Sequence, residues 1–202
     1  MTHISVLEKD DLPRLMALVS QLDFSKDINY FRRCLENSDE GRVVLMATYP
    51  VLALGRNLVE AQRAKTGGPG APGKMEGGFR TKSEGLDLDV GLCVVNFAPS
   101  YTLFRRLNIP EIQDLNVHKD ARGQGVGAAL VRAAEDLARA RGHTEIGIGV
   151  GLTAGYGAAQ KLYVKLGYVP DGLGIAADGV PVRPSDLRAV DDAVSLYMVK
   201  GF

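Results

Sequence analysis

The segment from Asp114 to Val131 combines residue types that can bind a phosphate group. An apolar strand is expected to run into the turn Arg122-Gly-Gln-Gly-Val-Gly, and a helix is expected to start directly after it. The first N–H groups of a helix have no intrahelical partner, and the helix dipole places partial positive charge beside them. Glycines in such a turn let the backbone approach a ligand closely, and an arginine can donate a charge-assisted hydrogen bond to a phosphate oxygen. The spacing therefore predicts a pyrophosphate cradle, with a plain tight turn as the alternative.

Two common phosphate-binding motifs fit this turn poorly. The P-loop requires Gly-Lys-Ser or Gly-Lys-Thr, and neither occurs in the chain. Gly123, Gly125 and Ala128 match the G-x-G-x-x-A dinucleotide pattern, which also requires an acidic residue at the end of the following strand. Glu145 lies at about the right distance, but it opens that strand instead of closing it. Nucleoside triphosphates and dinucleotides are therefore disfavoured as ligands.

Three segments of the chain resemble the GNAT superfamily of acyl-CoA-dependent N-acyltransferases. The turn from Arg122 to Gly127 matches the superfamily signature Arg/Gln-x-x-Gly-x-Gly/Ala. Residues 159–168, Ala-Gln-Lys-Leu-Tyr-Val-Lys-Leu-Gly-Tyr, resemble its Ala-x-x-Leu-Tyr-x-x-Leu-Gly-Phe/Tyr segment. Glu111 occupies a position early in the fourth strand where many members carry a glutamate. The resemblance is close over about residues 108–170 and extends to the flanks by pattern only.

The resemblance implies both a fold and a reaction. The implied fold is a mixed α/β fold, with a mostly antiparallel sheet of six to seven strands splayed between the fourth and fifth strands, and about four flanking helices. The implied reaction is direct attack of a primary amine on acetyl-CoA, a co-substrate, without a metal. A small-molecule amine is the favoured acceptor. A protein N-terminus or lysine is the second acceptor, and a non-catalytic acyl-CoA-binding module is the alternative of a different class.

Proton transfer places demands on the site. An amine with the pKa of a lysine is neutral in roughly one molecule in 2,500 at pH 7, so a carboxylate has to accept its proton. Glu111 is the expected acceptor, with an ordinary surface carboxylate as the alternative. Asp114 lies three residues further along the strand and is expected on its opposite face. The resemblance implies that Tyr163 protonates the leaving thiolate. Tyr156 competes for that role, because it replaces an asparagine that in many members contacts the CoA arm.

The resemblance also implies two sets of contacts to acyl-CoA. Backbone groups of the fourth strand are expected to polarise the thioester carbonyl and to pair with the pantetheine amides, and the glycine turn is expected to hold the pyrophosphate. The residues expected to bind the cofactor are Leu115, Asn116, Val117, Arg122, Gly123, Gln124, Gly125, Val126, Gly127, Ala128 and Tyr156.

Composition restricts the partners and the compartment. The 202 residues include 24 Lys plus Arg and 24 Asp plus Glu, so no global field favours nucleic acid or an anionic membrane. The chain contains no apolar run of membrane-spanning length and no signal-peptide pattern, which favours a cytoplasmic protein. Cys34 and Cys93 are interpreted as buried small apolar residues, and the cysteine and histidine spacing predicts no metal site. The oligomeric state stays open, a homodimer included.

Hydrophobic periodicity predicts alternating strands and helices in a single N-acetyltransferase domain over residues 1–202. The Gly/Pro-rich stretch at about 55–85 is expected to be a flexible insertion, either tolerated or acting as a lid. The helix at 124–141 has an apolar stripe, with Glu135 and Arg139 predicted as an ion pair on its exposed face. Strands are predicted at 4–7, 42–49, 90–97, 110–117, 144–150, 175–177 and 193–199, and the other helices at 10–21, 27–37 and 156–166.

The predicted strand at 144–150 alternates between isoleucine or valine and glycine. Glycine inside a strand often marks the close approach of a ligand or of another part of the backbone. Gly147 and Gly149 are therefore expected either to border the gap that holds the pantetheine arm or to accommodate a packed helix.

Overall fold

The fold was established from a computed structural model, which describes residues 1–22, 26–36, 41–50 and 87–202. The insertion predicted at about 55–85 lies outside these residues. The strands are β1 (His3–Val6), β2 (Arg42–Pro50), β3 (Asp87–Asn96), β4 (Glu111–Val117), β5 (Glu145–Gly151), β6 (Val169–Ala177), β7 (Val180–Pro181) and β8 (Val194–Gly201). The α-helices are α1 (Leu12–Val19), α2 (Ile28–Glu36), α3 (Thr102–Leu107), α4 (Val126–Ala140) and α5 (Gly157–Lys165).

All eight described strands form one sheet, in the order β1-β2-β3-β4-β5-β8-β6-β7. Neighbouring strands are antiparallel except β4 and β5, which are parallel and pair at only two rows, Glu111 with Gly147 and Ile112 with Ile148. Beyond those rows the two strands separate. The predicted mixed fold, with its opening between the fourth and fifth strands, is confirmed. The short β7 adds one strand to the expected number, and α3 adds one helix.

Helices cover both faces of the sheet, which explains why β2 reads as a continuous apolar run. Val43 and Leu45 face α4 and α5, whereas Val44 and Met46 face α1 and α2. The strand is therefore an interior one, as its composition predicts. The core beneath α1 and α2 also includes Leu15, Leu18, Phe31, Cys34, Leu92 and Val94, and the core beneath α4 and α5 includes Cys93, Val95, Leu130, Ala134 and Tyr163.

Glu135 and Arg139 form the predicted ion pair of α4, but Glu135 does not lie on an exposed face. Glu135 is only 3% exposed, and both of its carboxylate oxygens accept hydrogen bonds from Nζ of Lys200, at 2.8 and 2.9 Å. Arg139 lies further from this carboxylate, at 3.9 Å. The pattern within the helix could not reveal Lys200, because this second partner lies on β8, 65 residues away.

The glycine face of β5 is covered by aromatic rings. A Cβ atom on Gly147 would overlap the ring of Phe104 in α3, which confirms the helix-packing interpretation at this position. A Cβ atom on Gly149 would lie 3.2 Å from the ring of Tyr197, and one on Gly151 would lie 2.5 Å from the ring of Tyr156. The glycines therefore allow three aromatic rings to lie directly on the strand.

Candidate active site

A cavity of about 830 Å³ opens where β4 and β5 separate. Its wall combines carboxylates, tyrosines and two cations with backbone from both strands. The lining residues are Lys26, Tyr30, Arg42, Ser100, Glu111, Ile112, Gln113, Asp114, Leu115, Asn116, Ile148, Gly149, Val150, Tyr156, Ala159, Tyr163, Asp192, Ser195 and Tyr197.

Glu111 lies at the closed end of the opening, in the first of the two rows that join β4 to β5; the strands separate beyond the second row, at Ile112. It is 6% exposed, and Nε2 of Gln113 donates a hydrogen bond to its Oε2 at 2.8 Å. Nδ2 of Asn96 in turn donates to Oε1 of Gln113 at 3.3 Å. This chain of side chains orients the Glu111 carboxylate. Within the described part of the chain, Oε1 of Glu111 accepts no hydrogen bond and is available to an amine.

The environment of Glu111 tunes its proton affinity. The pKa of Glu111 is raised to about 7, and burial is the largest cause. The negative charge of Asp114 raises this pKa further, whereas the hydrogen bond from Gln113 and the positive charge of Arg42 lower it. A carboxyl group with a pKa close to the ambient pH is well suited to general-base catalysis, because its ionised form is populated and still binds a proton strongly.

Asp114 lies in the same cavity as Glu111, contrary to the expectation from strict strand alternation. The backbone of Asp114 is left-handed, with φ of 52°, and the register between β3 and β4 shifts opposite this residue. This bulge interrupts the alternation. The hydroxyl of Tyr30 donates a hydrogen bond to Oδ2 of Asp114. Asp114 thus accepts a hydrogen bond from a tyrosine of α2, whereas Glu111 accepts one from Gln113 of its own strand.

Two tyrosines that the sequence singles out border the cavity. Tyr163 of α5 is 5% exposed, and burial raises the pKa of its hydroxyl, so it is protonated at neutral pH. Among the described residues, the Tyr163 hydroxyl has no hydrogen-bond partner. The Tyr156 hydroxyl donates to Oδ1 of Asp192 at 2.8 Å, and this bond, followed by burial, raises the Tyr156 pKa. Tyr163 therefore has the less encumbered hydroxyl.

The glycine turn leads from β4 into α4. Gly123 and Gly125 have φ of 77° and 81°, a left-handed conformation that residues with a side chain rarely adopt, and Gly125 is the N-cap of the helix. A Cβ atom at either position would have no neighbour within 4 Å, so the space above this backbone is open. Nε of Arg122 donates to the carbonyl oxygen of Val117 at 3.1 Å, which ties the turn to the end of β4.

The residues predicted to bind the cofactor fall into two groups. Leu115, Asn116 and Tyr156 line the cavity together with the predicted catalytic pair. Val117 and residues 122–128 lie outside its wall, at the end of β4 and the start of α4. The side chain of Val126 belongs to the core and is 1% exposed, so only its backbone N–H can serve a ligand.

Residues 84–170 match the family model described as the acetyltransferase (GNAT) domain. Residues 84–170 thus carry a GNAT acetyltransferase domain. The matched segment includes β4, the glycine turn, α4, β5 and α5, and so confirms the resemblance inferred from the motifs. No curated protein sequence matches the chain.

Solved structures of N-acetyltransferases share the fold of the described residues. The ribosomal-protein-S18-alanine N-acetyltransferase of Escherichia coli is 17% identical, with a TM-score of 0.57, and the match covers 100% of this chain and 94% of that one. PaiA N-acetyltransferase of Thermoplasma acidophilum, in complex with coenzyme A, is 13% identical, with a TM-score of 0.57 and coverage of 100% and 99%. A Salmonella typhimurium protein, determined with its cofactor acetyl-CoA, is 15% identical, with a TM-score of 0.57 and coverage of 100% and 94%.

Several cavity residues were not found by sequence reasoning. Tyr197 of β8 stacks on Tyr101, with ring centroids 3.7 Å apart; burial, and then the charge of Glu111, raises the Tyr197 pKa to about 12. Arg42 and Asp192 also border the cavity. Arg42 had one visible signal, a charge at the start of an otherwise apolar strand. The other two lie in the tail, beyond the motifs.

The described residues contain no group of three or more His, Cys, Asp or Glu side chains placed to hold a metal ion. None of the described helices has both the length and the apolar character needed to cross a membrane.

Proposed function

We propose that this GNAT member transfers an acetyl group from acetyl-CoA to a primary amine by direct attack. The observation that carries the proposal is the presence of Glu111 and Tyr163 in one cavity, at the opening between β4 and β5. The glycine turn follows the same strand and offers open helix N–H groups to a pyrophosphate. Structures of the same fold that contain coenzyme A or acetyl-CoA support the choice of donor.

In the proposed reaction, Glu111 accepts a proton from the acceptor ammonium, and the amine nitrogen attacks the thioester carbonyl carbon. Backbone N–H groups around Leu115 to Val117 stabilise the oxyanion of the tetrahedral intermediate. The carbon–sulfur bond then breaks, and the nitrogen loses its second proton to solvent, so that the acetyl group stays on it as a neutral amide. Tyr163 donates its proton to the thiolate and is reprotonated from solvent. Burial supports this last role because it keeps the tyrosine protonated at neutral pH.

We propose a small-molecule amine as the acceptor. The cavity volume of about 830 Å³ lies in the range of small-ligand sites, roughly 300–1,000 Å³. Charged side chains border the cavity, which suits a polar acceptor. The structural similarity to a ribosomal-protein acetyltransferase, at 17% identity, concerns the fold and does not favour a protein acceptor.

We also propose that residues 1–202 form a single acetyltransferase domain. The first and the last strands, β1 and β8, belong to the same sheet, so the two ends of the chain contribute to one folded unit. A limited-proteolysis experiment that separated a stable fragment lacking either strand would contradict this proposal.

The function is tested by following thiol release from acetyl-CoA with a panel of primary amines, together with calorimetry of acetyl-CoA binding. We expect binding, and turnover with at least one amine. Glu111→Gln should retain binding and lose most of the turnover, whereas the control Glu36→Gln, at an exposed carboxylate of α2, should behave as the wild type. Binding without turnover across the panel would instead favour a non-catalytic acyl-CoA-binding module. Absence of binding would overturn the proposal entirely.

A further inference from the structure

Arg42 and Glu111 stand in one row across three strands of the sheet. Arg42 of β2 pairs with Asn96 of β3, and Asn96 pairs with Glu111 of β4. Directly paired residues share a face of the sheet, so all three side chains lie on the same side. Two inter-strand spacings separate the backbones of Arg42 and Glu111 by about 10 Å. Both residues line the cavity.

Arg42 is a cation of the cavity wall that no carboxylate of the described residues neutralises at ion-pair distance. Its guanidinium lies over the ring of Tyr30, 5.7 Å from the centroid, and Nζ of Lys26 lies 5.2 Å from the same centroid. Lys26 also lines the cavity. Two positive side chains thus gather around one ring at this part of the wall.

The nearby carboxylates are already engaged by other groups. Asp114 accepts the hydroxyl of Tyr30, and Asp192 accepts the hydroxyl of Tyr156. Glu111 receives one hydrogen bond, from Gln113, on Oε2. Among the described residues, each of the three carboxylates thus keeps one oxygen that accepts no side-chain hydrogen bond, and of the three only Glu111 stands in the same row of the sheet as Arg42. About two strands away from this carboxylate lies a guanidinium that can bind an anion.

We propose that Arg42, with Lys26 beside it, binds a carboxylate of the acceptor, so that the acceptor is a small zwitterion whose primary amine reaches Glu111. This inference rests on the proposed acetyl transfer and specifies its substrate class as amino acids. A guanidinium can bind a carboxylate through two parallel hydrogen bonds, which orients the acceptor as well as holding it. With the carboxylate on Arg42, the amine of an α-amino acid or a short ω-amino acid points along the row towards Glu111.

The test compares two matched series of acceptors in the thiol-release assay. The first series contains glycine, β-alanine, 4-aminobutyrate and 5-aminovalerate, and the second contains the carboxamide of each. We expect kcat/KM to favour the best carboxylate over its carboxamide by about 10- to 100-fold, the range of a hydrogen bond to a charged group. The chain length with the highest kcat/KM then reports the distance between the guanidinium and the base.

Variants assign the preference to Arg42. In Arg42→Gln the carboxylate-to-carboxamide ratio should fall close to one, through a higher KM for the carboxylate series, and Lys26→Gln should lower the ratio less. Arg106→Gln, at an exposed cation of α3 outside the cavity, should keep the wild-type ratio. Calorimetry of acetyl-CoA binding to Arg42→Gln checks that the variant is folded.

The possible results separate this inference from the proposed function. Equal turnover of both series by the wild type would overturn the role of Arg42 and leave acetyl transfer intact. A preference that survives in Arg42→Gln would also overturn it. Absence of turnover in both series, together with turnover of amines that lack a carboxylate, would exclude amino acids. Absence of turnover with every amine would refute the proposed function and, with it, the inference.

Discussion

Replacing Glu111 with glutamine is expected to stabilise the protein while it disables the reaction. The pKa of Glu111 is raised from 4.5 to about 7, mainly by burial. An unfolded chain therefore ionises this carboxyl group at lower pH than the native protein does. The associated stability is fully present below pH 4.5, and it is lost as the pH rises through about 7. Glutamine has the same shape and does not titrate.

The magnitude follows from the shift in pKa. Each pKa unit corresponds to about 1.4 kcal/mol, so at pH 8.5 ionisation of Glu111 should reduce the free energy of unfolding by about 3 kcal/mol. At pH 5 the same effect lowers the free energy of unfolding by only about 1 kcal/mol, because pH 5 lies just above the unfolded-state pKa of 4.5 and well below the native pKa of about 7. Glu111→Gln should thus gain about 2 kcal/mol over the wild type between these two pH values.

The assay is urea denaturation of the wild type, Glu111→Gln and Glu36→Gln at pH 5 and pH 8.5. Comparing the change between the two pH values removes any constant effect of the altered hydrogen bond to Gln113. Glu36 is an exposed carboxylate, and its variant should show no such pH-dependent gain. The reasoning would be refuted if the stability difference between Glu111→Gln and the wild type were the same at both pH values.

Two further predictions concern the active site, and a third concerns the buried ion pair between α4 and β8. Gln113→Leu removes a hydrogen bond that lowers the Glu111 pKa, so the acidic limb of the pH profile of kcat/KM should move to higher pH. If the limb did not move, the group that titrates in it would not be Glu111. Tyr163→Phe should lower kcat by about 10²- to 10⁴-fold, the usual contribution of a general acid, while steady-state KM changes little; an unchanged kcat would remove Tyr163 from the mechanism. Lys200→Met leaves Glu135 buried without its main partner and should cost about 3 kcal/mol in urea denaturation; a loss below about 1 kcal/mol would show that the pair is not structurally important.

Local patterns predicted the parts of the site that depend on nearby residues. The turn after β4 was predictable because left-handed glycines and the start of a helix are encoded within a few positions, as Gly125 shows. The positions of Glu111 and Tyr163 followed from a resemblance over one continuous segment. Both residues lie within the segment that the family model matches.

Features that depend on distant parts of the chain were not predictable in this way. Strand alternation predicted Asp114 on the opposite face of β4 from Glu111. The bulge that interrupts this alternation depends on the register with β3, which the residues of β4 do not encode. The partner of Glu135 lies on β8, and the contact between Tyr197 and Gly149 joins two strands that are far apart in sequence. Periodicity within one element carries no information about such contacts. The position of Arg42 at the cavity was unpredictable for the same reason, because it depends on the pairing of β2 with β3 and of β3 with β4.

The two rows that join β4 to β5 are the only strand pairing between the two halves of the described sheet. On one side lie the four strands from β1 to β4, and on the other lie β5, β8, β6 and β7. In the proposed complex, acetyl-CoA in the opening would contact both β4 and β5 and so bridge the halves. Glu111 belongs to the first of these two rows, so the proposed base is held where the sheet is still continuous. In the proposed reaction, the bond changes would take place beyond these rows, where only the substrate connects β4 to β5.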